Sequence, residues 1–270
     1  MESARCDRTT LAEIYESGAE TYRDVWSPII IPPARRLISR LDLRGATVVL
    51  DVGAGVGALT PLLRSAAPQA GIVSMDPSLA MLQSIPAGEI SVAVQGDAMA
   101  LPFGTECADA VILSYVLFHL PDPGGGLREA RRVLRSDGLL GTVTWGEEQP
   151  LRAADVWSEV LDVHSIPTLP AGSNHEGLDS VDAMTSTLRD AGLARVDAWI
   201  EMVEYDFDPD EYFRFRSGFG INRARLETVE ESRRLEVLAE VRHRLDLLDS
   251  DAYAYRAQAI CAVSSPSADR

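Results

Sequence analysis

At 270 residues the chain is long enough for one sizeable α/β domain with insertions. Its formal net charge of -16, from 41 acidic and 25 basic side chains, argues against nucleic acid and anionic membrane surfaces, which need clustered positive charge. Every basic residue is Arg; the absence of Lys reflects coding bias rather than mechanism.

Cys6, Cys107 and Cys261 are widely spaced and fit no metal or redox motif, so three reduced thiols in a cytoplasmic protein are expected. The N-terminus lacks a basic-then-apolar signal pattern. The longest apolar run, from Ala110 to Leu120, is interrupted by Ser114 and His119 and is too short to cross a bilayer.

Residues 1–45 read as helical: Ala12, Tyr15, Ala19 and Tyr22 recur at near-helical spacing, and Pro28, Pro32 and Pro33 are expected to break the run. Strands follow near 47–52, 71–76, 90–94, 109–114 and 138–145, alternating with helices near 57–66, 78–84 and 124–135. That alternation predicts parallel strands joined by right-handed crossovers in a doubly wound α/β sheet. Past Trp145 the pattern loosens. Helices are expected at 152–162 and 180–191, the latter stopped by Gly192. A strand is expected over 196–207, an aromatic-rich helix over 209–218, and one amphipathic helix over 223–248. The last strand is expected at 253–263, before a frayed tail at 266–270.

The most informative stretch is Val48-Val49-Leu50-Asp51-Val52-Gly53-Ala54-Gly55-Val56-Gly57. A short apolar strand runs into glycines and then a helix, so the loop's backbone N–H groups and the positive helix end face a ligand. This is a cofactor-binding turn at the first strand of the sheet. Gly53-x-Gly55-x-x-Ala58, with Asp76 at the ribose-binding distance, also satisfies a dinucleotide fingerprint, which keeps a nicotinamide-dependent oxidoreductase open as a reading.

Three features favour S-adenosylmethionine. Asp51 ends the first strand, where a carboxylate meets an ammonium but repels a pyrophosphate. Asp76 ends the second strand and can accept both ribose hydroxyls. Asp97, in Gln95-Gly96-Asp97-Ala98, follows the third strand and can take the adenine amine.

Five ordered blocks, Val49 to Gly57, Val73 to Ser78, Gly96 to Phe103, Ala108 to Pro123 and Arg131 to Trp145, resemble the class I S-adenosylmethionine-dependent methyltransferases. The likeness is to the small-molecule branch that includes the ubiquinone and menaquinone C-methyltransferases. It covers roughly residues 46–146. It implies a mostly parallel, seven-stranded Rossmann-like sheet whose last strand is antiparallel, with helical lid insertions. By that analogy, residues 1–45 form a helical cap and 46–148 the cofactor core. Residues 149–265 hold the remaining strands, with substrate-lid insertions at 149–178 and 208–248. The implied cofactor set is Tyr22, Asp51, Gly53, Ala54, Gly55, Asp76, Pro77, Met81, Gly96, Asp97, Ala98, Ser114, Tyr115 and His119.

Methyl transfer is an in-line displacement that depends mainly on positioning, with a base where a proton must leave. His119, after the fourth strand, is one candidate base; its alternative role is to bond a loop carbonyl and shape the pocket. His175, like His164, lies in the expected lid, either as a substrate-specific base or as a solvated loop residue. Tyr15, Tyr22 and Trp26 either wall the cofactor or pack as an ordinary helix face. Tyr212, Phe213, Phe215 and Phe219 either line an apolar acceptor pocket or form core. No His/Cys/Asp grouping has metal-ligand spacing, so no metal is expected.

No Asn/Asp-Pro-Pro-aromatic tetrapeptide or Pro-Cys dipeptide is present, which favours a small-molecule acceptor over a nucleobase. The expected activity is methyl transfer to a small metabolite, with oxygen favoured over nitrogen or carbon, in secondary metabolism, by a monomer or homodimer. The alternative in the same fold is a non-methylating cyclisation or rearrangement.

Overall fold

A computed structural model describes residues 8–86, 88, 90, 92–169 and 173–266. In chain order the described elements begin with α1 (Arg8–Ser17), α2 (Ala19–Thr21), a π-helical turn (Tyr22–Trp26), α3 (Ser27–Arg40) and β1 (Val48–Val52). Next come α4 (Thr60–Ala66), β2 (Gly71–Asp76), α5 (Leu79–Gln83), β3 (Val92–Gln95), β4 (Ala108–Ser114), α6 (Pro123–Val133) and β5 (Leu134–Glu148). The last third holds α7 (Arg152–Val163), α8 (Val181–Asp190), β6 (Arg195–Asp206), α9 (Pro209–Gly218), α10 (Gly220–Glu227), α11 (Glu231–Leu245) and β7 (Ala254–Ser265).

The seven strands form one sheet in the order β3-β2-β1-β4-β5-β7-β6. β1 to β5 pair in parallel, with Leu50 opposite Val73 on one side and Val111 on the other. The order reverses at β1, which puts the first loop at the topological switch point where such sheets bind ligands. β1 and β4 are nearly continuous apolar runs because helices cover both faces; Val49, Leu50, Val52, Ala110, Val111 and Ile112 are all at most 1% exposed.

Two expectations from the sequence are corrected. Pro28, Pro32 and Pro33 do not break the N-terminal run: α3 continues through them from the π-helical turn. Two prolines inside a helix remove two backbone donors. The side of α3 carrying Ile30, Ala34, Leu37, Ile38 and the following Leu41 is buried, and that apolar burial offsets the loss. The single helix expected over 223–248 is two, α10 and α11, divided by a turn at Thr228 to Glu230. There Thr228 closes back on Arg225 through both its amide and its hydroxyl.

The chain divides into two compact units. One takes in residues 30–147, 173–202 and 258–270 and holds β1 to β4 and nearly all of β5. The other takes in residues 1–29, 148–172 and 203–257 and is rich in helices and aromatic rings. Among the described residues, no helix is long and apolar enough to cross a membrane.

Candidate functional site

The carboxyl ends of β1 to β4 carry Asp51, the glycine turn, Asp76, Asp97 and Ser114, all within the sheet-bearing unit. β1 is pinned at its start by Asp109, whose Oδ2 accepts from Thr47 N (2.7 Å), Thr47 Oγ1 (2.7 Å) and Val48 N (2.9 Å), and which pairs with Arg135. Burial alone would raise this carboxyl; the bonds from Thr47 and Val48, with Arg135, outweigh it and hold the group down at about 2. Nothing in the sequence pattern marks Asp109 as this anchor.

At the end of β1 the backbone turns through Gly53 (φ 73°), Gly55 (φ 54°) and Gly57 (φ 75°). A Cβ on Gly53 would lie 2.2 Å from Val116 Cγ2, so the turn is pressed against the segment after β4 and tolerates only glycine. Gly53 N and Ala54 N both donate to Met75 O, at 2.7 and 2.9 Å, fastening the loop to the end of β2.

Asp51 is 2% exposed, and its Oδ2 has no hydrogen-bond partner among the described residues. Burial first, and the charge of Asp76 second, push its carboxyl up to about 7. A buried carboxylate oxygen without a donor is costly, and a cation or strong donor at this loop relieves the cost. Asp76 is placed differently: its Oδ2 accepts from Gly55 N (2.9 Å) and its Oδ1 from Ser78 N (2.8 Å). Burial raises its carboxyl while those two backbone bonds pull the other way. Each oxygen keeps a second lone pair, so the group that shapes the loop retains acceptor capacity for a ligand's hydroxyls.

The neighbouring residues complete this edge. Ser78 caps α5 by accepting from Met81 N (3.2 Å), and Met81 is fully buried beneath; Pro77 is exposed and its carbonyl accepts from Gln95 Nε2 (2.9 Å). A Cβ on Gly96 would meet Met75 Sδ at 2.8 Å, so the chain after β3 also comes close to β2. Asp97 Oδ1 accepts from Met99 N (2.9 Å), holding the turn that contains Ala98. β4 ends at Ser114, followed by Tyr115 in the left-handed region (φ 58°), with its ring 4.6 Å from Trp145. A non-glycine residue held there is strain typical of ligand edges, and the sequence offers no sign of it.

A short 3-10 turn, Leu117–His119, follows. His119 is held down to about 4, chiefly by burial and then by the nearby charge of His175. His175 reaches this place on residues 173–178; its ring stacks on Phe118 with centroids 5.2 Å apart and planes 8° apart. The two histidines, separated by 56 positions in sequence, are therefore brought together.

Other candidates belong to the second unit. Tyr22 lies in the second unit, where it packs on Tyr15 (5.7 Å) and Phe219 (5.2 Å). In the same unit Trp26 stacks on Phe215 (4.9 Å), and Tyr212 and Phe215 are buried in that aromatic group. His164 bonds Glu240 at 2.6 Å, and its carbonyl accepts from Arg233. Cys107 is partly buried, Cys261 is buried, and Cys6 lies outside the described residues. Among the described residues no group of His, Cys, Asp and Glu has the arrangement of a metal site.

Residues 50–141 match the family described as a methyltransferase domain. The chain is 35% identical over 127 residues to a demethylmenaquinone methyltransferase of Corynebacterium urealyticum, covering 47% of this chain and 54% of that one. It is 29% identical over 228 residues to a malonyl-[acyl-carrier protein] O-methyltransferase of Geobacter sulfurreducens, covering 81% of this chain and 83% of that one. Across the quinone-type methyltransferases it resembles, the chain spans 45% to 68% of their length. Among solved structures, a putative methyltransferase from an antibiotic biosynthesis pathway of Anabaena variabilis shares the fold with TM-score 0.59 at 17% identity, covering 88% and 99% of the two chains.

Proposed function

We propose that this chain, a class I S-adenosylmethionine-dependent methyltransferase, moves the donor's methyl group onto a hydroxyl oxygen of a small, partly apolar acceptor. The observation that carries the cofactor assignment to particular residues is the buried, unpartnered Oδ2 of Asp51 beside a glycine loop. It fits the ammonium of a methionine moiety and disfavours a pyrophosphate, so the nicotinamide reading of the glycine spacing is set aside.

In this reading Asp51 holds the ammonium, and the amides of Gly53 to Gly57 hold the carboxylate. Asp76 takes the ribose hydroxyls through its spare lone pairs. Asp97, Ala98 and Met81 receive the adenine, with Ser114, Tyr115 and His119 along the β4 side. S-adenosylmethionine supplies an electrophilic methyl on a positively charged sulfur. The residues here hold it still, exclude water and leave room for an acceptor nucleophile; positioning of this kind is worth about 7–11 kcal/mol. His119 and His175 are the imidazoles brought to this edge.

Acceptor recognition is assigned to the segments outside the glycine-loop core, 1–45, 149–178 and 208–248. Their aromatic and apolar content suits a secondary-metabolite or quinone-like ring. Oxygen as the methylated atom is supported by the O-methyltransferase relative, which matches over most of both chains. Methylation at carbon is the second reading, favoured by a ubiquinone/menaquinone biosynthesis C-methyltransferase relative of Hahella chejuensis.

The test is calorimetric titration with S-adenosylhomocysteine, with NAD in parallel. Micromolar binding of S-adenosylhomocysteine alone is expected; binding of NAD alone would overturn the assignment.

A further inference from the structure

We propose that His175 is the residue that accepts the acceptor's proton, delivered to the β4 edge by the strap of residues 173–178, and that the acceptor carries an ionisable O–H. This deepens the methyltransferase reading and rests on it. The strap is fixed at both ends. Asn174 N donates to Phe118 O (2.6 Å) and Asn174 Nδ2 to Pro121 O (3.3 Å), so the strap is tied to the loop after β4. Asn174 Oδ1 accepts from Glu176 N (3.1 Å), and Leu178 N returns to His175 O (3.0 Å). Leu178 is fully buried, and Gly177, with φ 72°, offers its carbonyl to Thr187 Oγ1 at 2.9 Å. Each of these bonds constrains where the His175 ring lies, and Phe118 gives that ring a flat face.

The loop that receives the strap is also the one against which Gly53 is pressed through Val116. The Phe118 ring neighbours both His119 (centroids 4.2 Å apart) and His175 (5.2 Å). Two imidazoles this close do not both carry a proton cheaply, and their surroundings differ. His119 is sunk deeply enough to stay neutral at physiological pH. His175 is only partly buried; burial lowers it, Asp179 opposes that, and it can pass a proton on to water. The charge of His175 acts on His119, and that of Asp179 acts on His175.

The step balances. The acceptor's O–H bond breaks and its proton moves to a His175 ring nitrogen. The oxygen lone pair forms the new bond to the methyl carbon, and the carbon–sulfur pair stays on sulfur, giving a methyl ether and S-adenosylhomocysteine. The imidazolium then returns its proton to solvent.

The test uses the full chain as wild type, His175→Gln and His119→Gln. Wild type and His175→Gln should bind S-adenosylhomocysteine within about threefold of each other. With 2-naphthol and 1,4-dihydroxynaphthalene as probe acceptors, His175→Gln should lower kcat by about 10²–10⁴-fold, leave KM for S-adenosylmethionine unchanged, and abolish the acid limb of the pH profile. His119→Gln should keep that limb. A readout that needs no acceptor is imidazole NMR of the S-adenosylhomocysteine complex: His175→Gln should raise the pH at which His119 titrates. A wild-type kcat and acid limb in His175→Gln overturns the proposal. So does a His119 that titrates in the ordinary histidine range while His175 does not, or one unmoved by the loss of His175. Failure of the wild type to bind S-adenosylhomocysteine would instead overturn the underlying cofactor reading.

Discussion

Replacing Asp51 by Asn should strengthen the empty protein and weaken it as a cofactor binder, and the two effects have one origin. In the ligand-free fold the Asp51 carboxyl is pushed from an ordinary 3.8 up to about 7 by burial and by Asp76. The folded state therefore holds a proton that the unfolded chain releases near pH 4. Stability falls as pH rises between those two values and is level above pH 7. Three units at about 1.4 kcal/mol each put the penalty near 4 kcal/mol at pH 8. Asp51→Asn removes the charge at nearly constant shape, so the apo variant should melt higher at pH 8, with little difference at pH 4.

Binding has the opposite sign. A ligand ammonium needs the carboxylate, so below pH 7 part of the binding energy goes to removing the proton. Relative to pH 8, the wild-type Kd for S-adenosylhomocysteine should rise about tenfold at pH 6 and about ninetyfold at pH 5. Asp51→Asn should bind about 10–100-fold more weakly at pH 8, the worth of a charge-assisted bond, and lose most of that pH dependence. Calorimetry in buffers of different ionisation enthalpy measures both the Kd and the proton release. A wild-type Kd that is the same at pH 8 and pH 5 would refute the placement of the ammonium on Asp51. A variant with wild-type affinity would do the same.

Other substitutions test other parts of the site. Gly53→Ala places a methyl 2.2 Å from Val116 Cγ2 in a left-handed backbone, so S-adenosylhomocysteine binding should be lost and stability reduced by at least about 1 kcal/mol. Adding Val116→Ala should recover only the steric part, as measured by denaturant titration. Asp76→Ala removes the acceptor for Gly55 N and Ser78 N as well as the proposed ribose contacts, and should weaken cofactor binding by about 2–4 kcal/mol; unchanged affinity would displace the ribose from this residue. Asp109→Asn should cost about 1–2 kcal/mol at neutral pH by loosening Thr47 and Val48. Because the wild-type carboxyl is held down at about 2, the difference should shrink as pH falls from about 4 towards 2. In the second unit, Arg225 is 9% exposed and donates to Ile166 O and Pro167 O, so Arg225→Met should lower stability by about 2–4 kcal/mol in urea unfolding.

How much of this was legible depends on how locally each signal is encoded. The glycine turn, Asp51, Asp76 and Asp97 each sit within a few residues of a strand whose apolar run and abrupt end are written in sequence, so strand order alone brings them to one edge. The prolines of α3 misled because proline reports only local backbone chemistry. The burial of Ile30, Ala34, Leu37 and Ile38 that overrides it depends on distant partners. Tyr115 in the left-handed region, and Asp109 as the clamp on β1, likewise arise from contacts between strands and have no local signature.

His175 shows the same limit most clearly. Its sequence neighbours, Ser173 to Gly177, have the composition of an ordinary loop, which reads first as holding a solvated histidine rather than a base. What distinguishes it is Asn174 closing on Phe118 O and Pro121 O across more than 50 residues, which sets an imidazole against the segment that also packs on the glycine turn after β1. The donor half of a methyltransferase must present the same groups to the same molecule, so its residues stay near strand ends and remain readable. The acceptor half has no such common ligand. A proton-taking group can arrive on any strap long enough to reach the β4 edge, so the choice among histidines has no local signature in the sequence.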